Sequence, residues 1–268
     1  MIKDIFNLLL ITGSIYGLLF NIVTLSFFPK RKITKAIAFL NLMVLCISLN
    51  NLQAWLIAKE HISPWFYIKH LEVPWYLFIV PAFYNFLIYF LKIEAIYKNY
   101  ILLTFGLFGM EMLIRLGLIT YCYQTGQSEE FINIYNQYEE IVNVLFSLFL
   151  FLKCYKIIFK ATSGDLFSLS SDDFRWLKYF MALGSVVLLF WVIAVLSNVF
   201  FIVPKDFMYY PLRFTSSLLL YWTAYQGFLR YNVRADRVQL RQDILNFNDL
   251  IKYRTLTITK PKSESLAN

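Results

Sequence analysis

Leu18-Leu-Phe-Asn-Ile-Val-Thr-Leu-Ser-Phe-Phe-Pro-Lys-Arg-Lys32 decides the fold class: an apolar run that begins near Ile5 stops at a proline and three cations. A helix that crosses a bilayer needs roughly 20 mostly apolar residues at about 1.5 Å each. Short cytoplasmic loops retain Lys and Arg, whereas exported ones shed them. The stretch therefore reads as the cytoplasmic end of a first span. No small-residue cleavage site follows a short apolar region, so this span is expected to be a retained helix, not a removed signal peptide.

Working outward, the same pattern recurs. Spans are expected at Ile5 to Phe28, Ala36 to Leu56, Val73 to Leu91, Tyr100 to Tyr121, Ile141 to Phe159, Trp176 to Val203 and Met208 to Leu229. Loops one, three and five and the tail hold nineteen of the twenty-five Lys and Arg residues; the opposite side holds Lys3, Lys59, Lys69, Lys205 and Arg213. The expectation is an all-α polytopic membrane protein, a bundle of seven transmembrane helices with the N-terminus outside and the C-terminus cytoplasmic. Hydrophobic residues make up 59% of the chain and aromatic residues 19%, which excludes an ordinary soluble domain. The net charge of +8 then answers to the positive-inside bias, with anionic lipid as its counterpart.

Catalytic signatures are missing. The chain has no HExxH, GxSxG, GxxxxGK[ST] or CxxC, and an enzyme is not expected. His61 and His70, the only histidines, fall in the loop between spans two and three and read as solvated residues, since only Glu60 and Glu72 could join them on a metal. No metal or other cofactor is called for. Cys46, Cys122 and Cys154 read as apolar fillers. The last span contains no Lys, so a retinal Schiff base has no amine there.

Polar residues inside the spans are the positive signal. Glu111 and Arg115 stand four apart on the fourth span and so share a face, where they are expected to pair. A charge in hydrocarbon costs about 2.5 to 3.5 kcal/mol, so both should point into the bundle. A structural pin and a part in ligand binding are equally good readings of the pair. In the expected topology Asn50, Asn51 and Gln53, Arg115, Asn198, Glu139, Glu140 and Asn143, and Arg213 and Thr215 all lie at one depth near the outer surface. That convergence points to an outward pocket for a small ligand, lined further by Trp75, Tyr76, Tyr84 and Tyr209 or Tyr210. Pro74 reads as an entrance turn to the third span and Pro81 as a kink within it.

The tail from Tyr231 repeats Val233, Leu240 and Phe247 every seven residues, with Ile244 and Ile251 between. Over about three heptads this fits either a homodimeric coiled coil through 233–251 or an amphipathic helix on the inner leaflet. Three divisions follow: a sensor region 1–230, an exit helix 231–254 and a polar, disordered tail 255–268.

The runs Tyr209-Tyr-Pro-Leu-Arg213, Leu220-Tyr-Trp-Thr-Ala-Tyr-Gln-Gly-Phe-Leu-Arg-Tyr-Asn232 and Asp236-Arg-Val-Gln-Leu-Arg241 resemble the last span and exit helix of bacterial membrane-bound AraC-type transcription regulators. Ser48-Leu-Asn-Asn-Leu-Gln-Ala-Trp-Leu-Ile57, Val73-Pro-Trp-Tyr76 and Ile114-Arg-Leu-Gly-Leu-Ile119 are similar to that family too, so the resemblance spans about residues 1–245. It implies a multi-pass sensor in the bacterial inner membrane. In that family a cytoplasmic domain with two helix-turn-helix units follows, and fewer than forty residues remain after Leu229. DNA would then be reached only indirectly, through a missing or separate effector domain. The expected function is a receptor-like module that binds a small ligand and signals to a transcriptional output. A secondary transporter or permease, and a structural membrane partner without a ligand, are the rivals. No internal repeat or matched pair of broken helices favours transport.

Overall fold

The computed structural model describes residues 2–27, 34–58, 70–126, 130–162, 171–200 and 205–227. The expected exit helix and tail, His61, and Lys30, Arg31 and Lys32 of the first loop lie outside the described residues. The chain divides into units 1–224 and 225–268; of the second, the described residues are the last turn of one helix, and everything below concerns the first.

Regular structure among the described residues is entirely α-helical, in seven helices: α1 (Ile2–Phe27), α2 (Lys35–Ala58), α3 (Tyr76–Phe90), α4 (Ile101–Thr125), α5 (Glu130–Thr162), α6 (Ser171–Phe200) and α7 (Lys205–Gly227). Five of them, α1, α2, α4, α5 and α6, are long and apolar enough to cross a membrane. The two others differ from the expected spans for separate reasons. Helix α3 has only 15 residues, about 22 Å at 1.5 Å per residue against a hydrocarbon core of about 30 Å. Helix α7 has 23 residues, but its first half carries Lys205, Asp206, Pro211 and Arg213.

The short helix is the central one. Leu77, Phe78 and every residue from Pro81 to Ile88 are buried, and α3 packs on α2, α4 and α5. It begins where Pro74 forms the expected entrance turn, with the Leu77 amide donating to the Pro74 carbonyl at 3.1 Å. The helix runs on through Pro81, whose carbonyl accepts from Asn85 Nδ2 at 2.9 Å.

Helix α4 sits at the rim. Only Thr104, Glu111, Arg115, Ile119 and Cys122 are buried, a stripe stepping by three, four or seven residues. Leu102 and Leu113 on other faces are 82% and 73% exposed, as a lipid-facing surface demands. Gly126, in the left-handed region at φ 63°, ends the helix.

Helix α5 starts eleven residues earlier than the expected Ile141. Hydropathy misses this extension because Glu139 and Glu140 turn toward protein and not toward lipid. Helices α1, α2 and α7 meet through small residues. A Cβ on Gly17 would stand 2.1 Å from Ser48 Oγ, and one on Gly13 would stand 3.3 Å from Ser217. Close backbone approach of this kind drives helix association where hydrocarbon surrounds both partners. Thr24 Oγ1 donates to Asn41 Oδ1 at 2.9 Å and fastens α1 to α2. An aromatic cluster joins α3, α6 and α7, with Phe83 stacked on Phe180 at 4.2 Å and Trp176 on Trp222 at 6.0 Å.

Candidate ligand cavity

Arg115 of α4 is 2% exposed. Its partner is not Glu111. Arg115 Nη2 meets Glu139 Oε2 of α5 at 2.5 Å, and Nη1 donates to the Glu72 carbonyl. Tyr76 OH adds a hydrogen bond to Glu139 Oε1 at 3.0 Å. Glu111 instead accepts from Asn143 Nδ2 at 3.2 Å. The expected Glu111 to Arg115 pair is thus corrected. Helices α4 and α5 run antiparallel, so Glu111 and Arg115, four residues apart on one, face Asn143 and Glu139, four apart on the other. Each side chain finds a closer partner across the seam than along its own helix.

Beside this seam lies a cavity of about 270 Å³ lined by α2, α3, α5, α6 and α7, to which Arg115 and Glu72 also contribute. Of the expected site residues it brings together Asn50, Asn51, Gln53, Arg115, Glu140 and Arg213; Tyr76 and Tyr209 line it as well. Glu139 stands behind Arg115, and Glu111 and Asn143 lie in the α4/α5 seam, all three outside the cavity wall. Asn198 does not border the cavity. Neither does Tyr84, whose ring packs edge-on against Tyr100 at 5.6 Å. Trp75, Tyr210 and Thr215 are not part of the wall either.

Several lining groups hold the helices together. Glu140 of α5 accepts from Trp191 Nε1 of α6 at 3.1 Å and from Tyr209 OH of α7 at 2.6 Å. Asn51 Oδ1 accepts from Ser216 Oγ at 3.1 Å, tying α2 to α7. Gln53 clamps the extended segment before α3 from both sides, donating to the Val73 carbonyl at 3.2 Å and accepting from the Val73 amide at 3.1 Å. Just before that clamp Leu71 packs on Ile119, Cys122 and Ile132. Drawn in with it, His70 is buried, 8% exposed, and is not the solvated loop residue its position suggests.

In the cavity-lining residues Arg115 and Asn136, the buried Nε and Oδ1 atoms have no hydrogen-bond partner. Partnerless atoms also occur at Asn85 Oδ1 and Ser147 Oγ, in residues that do not border the cavity.

Sequence reasoning passed over Asn136, Glu72 and Trp191, and the whole apolar half of the wall. Phe180, Gly184, Val187, Leu188 and Trp191 recur at helical spacing on α6 and mark its inward face, but lipid-facing residues of the same helix are equally apolar. Among the described residues no group of three or more His, Cys, Asp or Glu could hold a metal ion. The described cysteines are buried and unbridged. No protein family, no curated protein and no solved structure matches the chain.

Proposed function

We propose that the chain is a membrane-embedded sensor module of a bacterial cell membrane, a bundle of seven spans with the N-terminus outside and the C-terminus cytoplasmic. A small ligand enters the cavity from the outer side. Its binding shifts α6 and α7, and the shift passes to the cytoplasmic segment after Leu229. The resemblance to membrane-bound AraC-type regulators supports a transcriptional output.

One observation carries this reading: Asn50, Asn51, Gln53, Arg115, Glu140 and Arg213, from four helices, come together in the wall of one cavity. Polar groups held inside an apolar bundle cost free energy unless they find hydrogen-bonding partners, and a ligand with donors and acceptors of its own offsets part of that cost. Because Glu140 touches α6 and α7 at once, a ligand beside it acts on both helices. A signal then requires only that two arrangements of these helices differ in ligand affinity.

The test uses the full chain in lipid nanodiscs, screened with small molecules by tryptophan fluorescence, alongside Asn136→Leu. A compound that shifts the wild-type signal and not the variant's supports a receptor site. Accumulation of that compound in sealed vesicles would replace the sensor with a permease. Reporter fusions at residue 268 test the orientation, and activity of an exported reporter there would reverse it.

A further inference from the structure

The α4/α5 seam holds two buried acids and one buried cation. Arg115 is taken by Glu139 at 2.5 Å, and Tyr76 of α3 donates to the same Glu139 carboxylate at 3.0 Å. Glu111 is left over. It is 5% exposed, and among the described residues the one hydrogen bond its carboxyl receives comes from Asn143 Nδ2 at 3.2 Å. Its surroundings offer no second cation. From α5 it is faced by Tyr135, whose OH donates to the Glu111 backbone carbonyl at 3.2 Å, and by Glu139 and Asn143. At the start of α3 the neighbours of α4 are rings, Trp75 and Phe78 against Phe105 and Phe108. Arg115 itself stands one turn further along α4. An ionised Glu111 would add a second negative charge to a seam with one cation, in a setting where an unpaired charge is costly.

Asn143 supplies the second observation. Its side chain is fully buried, and its Oδ1 has no hydrogen-bond partner. Oδ1 and Nδ2 share one amide carbon, so the carboxyl that meets Nδ2 is within reach of this oxygen too. A carboxylate can only accept. A protonated carboxyl donates its O–H to Oδ1 while its other oxygen accepts from Nδ2, and neither group is left with an unmet atom.

We infer that Glu111 is a proton-binding site, paired at two points with Asn143 while it holds the proton and a rival of Glu139 for Arg115 once the proton has left. The O–H bond of the acid breaks, the proton passes to solvent, and the charge of Glu111, Glu139 and Arg115 together goes from zero to minus one. Spacing provides the rivalry, since a carboxylate four residues before an arginine shares its helix face. Arg115 also borders the cavity, so its release from Glu139 alters the wall. Tyr76, bound to Glu139, meets Trp191 edge-on at 5.6 Å and carries the change to α6. This site needs no ligand in the cavity and stands or falls apart from the sensor reading.

The experiment records infrared spectra of the full chain in nanodiscs at neutral and alkaline pH. The wild type should show at neutral pH a protonated-carboxyl band that Glu111→Gln lacks and that alkali removes. Glutamine offers a carbonyl and an N–H where the acid offers a carbonyl and an O–H, so this variant keeps both bonds to Asn143. Asn143→Leu should move the band to higher frequency, because the acid carbonyl loses its donor; it reads the same band if Glu111→Gln does not fold. The emission lost in Trp191→Phe should change with pH in the wild type beyond any change in Glu111→Gln. A neutral-pH spectrum in which wild type and Glu111→Gln have the same protonated-carboxyl band would overturn the proton site. A band indifferent to Asn143→Leu would overturn the pairing with Asn143, and equal pH responses of Trp191 in wild type and Glu111→Gln would overturn the link to the cavity wall.

Discussion

The α4/α5 seam and the adjoining cavity are built from the same kinds of residue, acids, amides and arginine, yet they end in different states. In the seam each side chain has met its match: Arg115 with Glu139, and Glu111 with Asn143. In the cavity wall the polar side chains that pin helices, Glu140, Asn51 and Gln53, alternate with atoms that have no partner inside the chain. Polarity inside the bundle is therefore no sign of function by itself. What separates a strut from a ligand site is whether the polar side chains border a cavity.

This contrast can be broken most forcefully at the seam. Arg115→Met or Glu139→Gln strands a buried charge and should cost about 3 to 5 kcal/mol in unfolding of the detergent-solubilised protein. The double variant should recover part of that loss, and the coupling should exceed that between Arg115 and Glu111. A larger Glu111 coupling would restore the pairing along α4 and undo the account of the seam.

A smaller loss is expected at a pin within the cavity wall. Tyr209→Phe removes one donor from Glu140, and a hydrogen bond to a charged group contributes about 1.5 to 3 kcal/mol. The effect should appear both in unfolding and as a shift in Trp191 emission. Away from both regions, Gly17→Ala forces a Cβ against Ser48 and should cost about 1 to 3 kcal/mol, largely recovered by Ser48→Gly. Failure of that rescue would mean that α1 and α2 tolerate a wider spacing.

The smallest stability effect belongs to the proposed site. Asn136→Leu replaces a partnerless buried atom with an apolar group, so stability should be unchanged or raised by up to about 1 kcal/mol. Ligand binding should be lost at the same time. A loss of stability as large as that of Arg115→Met would make Asn136 another strut.

How much of this was legible in the sequence follows from the physics of each region. Helices α1, α2, α4 and α6 follow from apolar length alone, because their outward faces must satisfy hydrocarbon. Helix α3 reads as a span of the same kind, yet it is short; composition cannot tell a helix wrapped by protein from one wrapped by lipid. The first turns of α5 stayed hidden for the opposite reason, since Glu139 and Glu140 look like loop residues until their partners on α4, α6 and α7 are known.

For the site, the convergence of Asn50, Asn51, Gln53, Arg115, Glu140 and Arg213 was readable from topology, which fixes depth along each helix. Rotation about the helix axes was not, so Tyr84 and Asn198 were counted in and Asn136 was left out. The Glu111 to Arg115 pairing failed because spacing of four residues speaks only of one helix, and an antiparallel neighbour with the same spacing offered better partners.

The most direct measurement is cysteine accessibility in intact cells. In a chain with Cys46, Cys122 and Cys154 replaced by alanine, all three being buried, Asn136→Cys and Ser147→Cys would each be treated with a membrane-impermeant thiol reagent from outside. The account predicts rapid labelling at 136 and no labelling at 147, which is closed within α5. Equal labelling at the two positions, or labelling at 136 only from the cytoplasmic side, would contradict an outward ligand cavity.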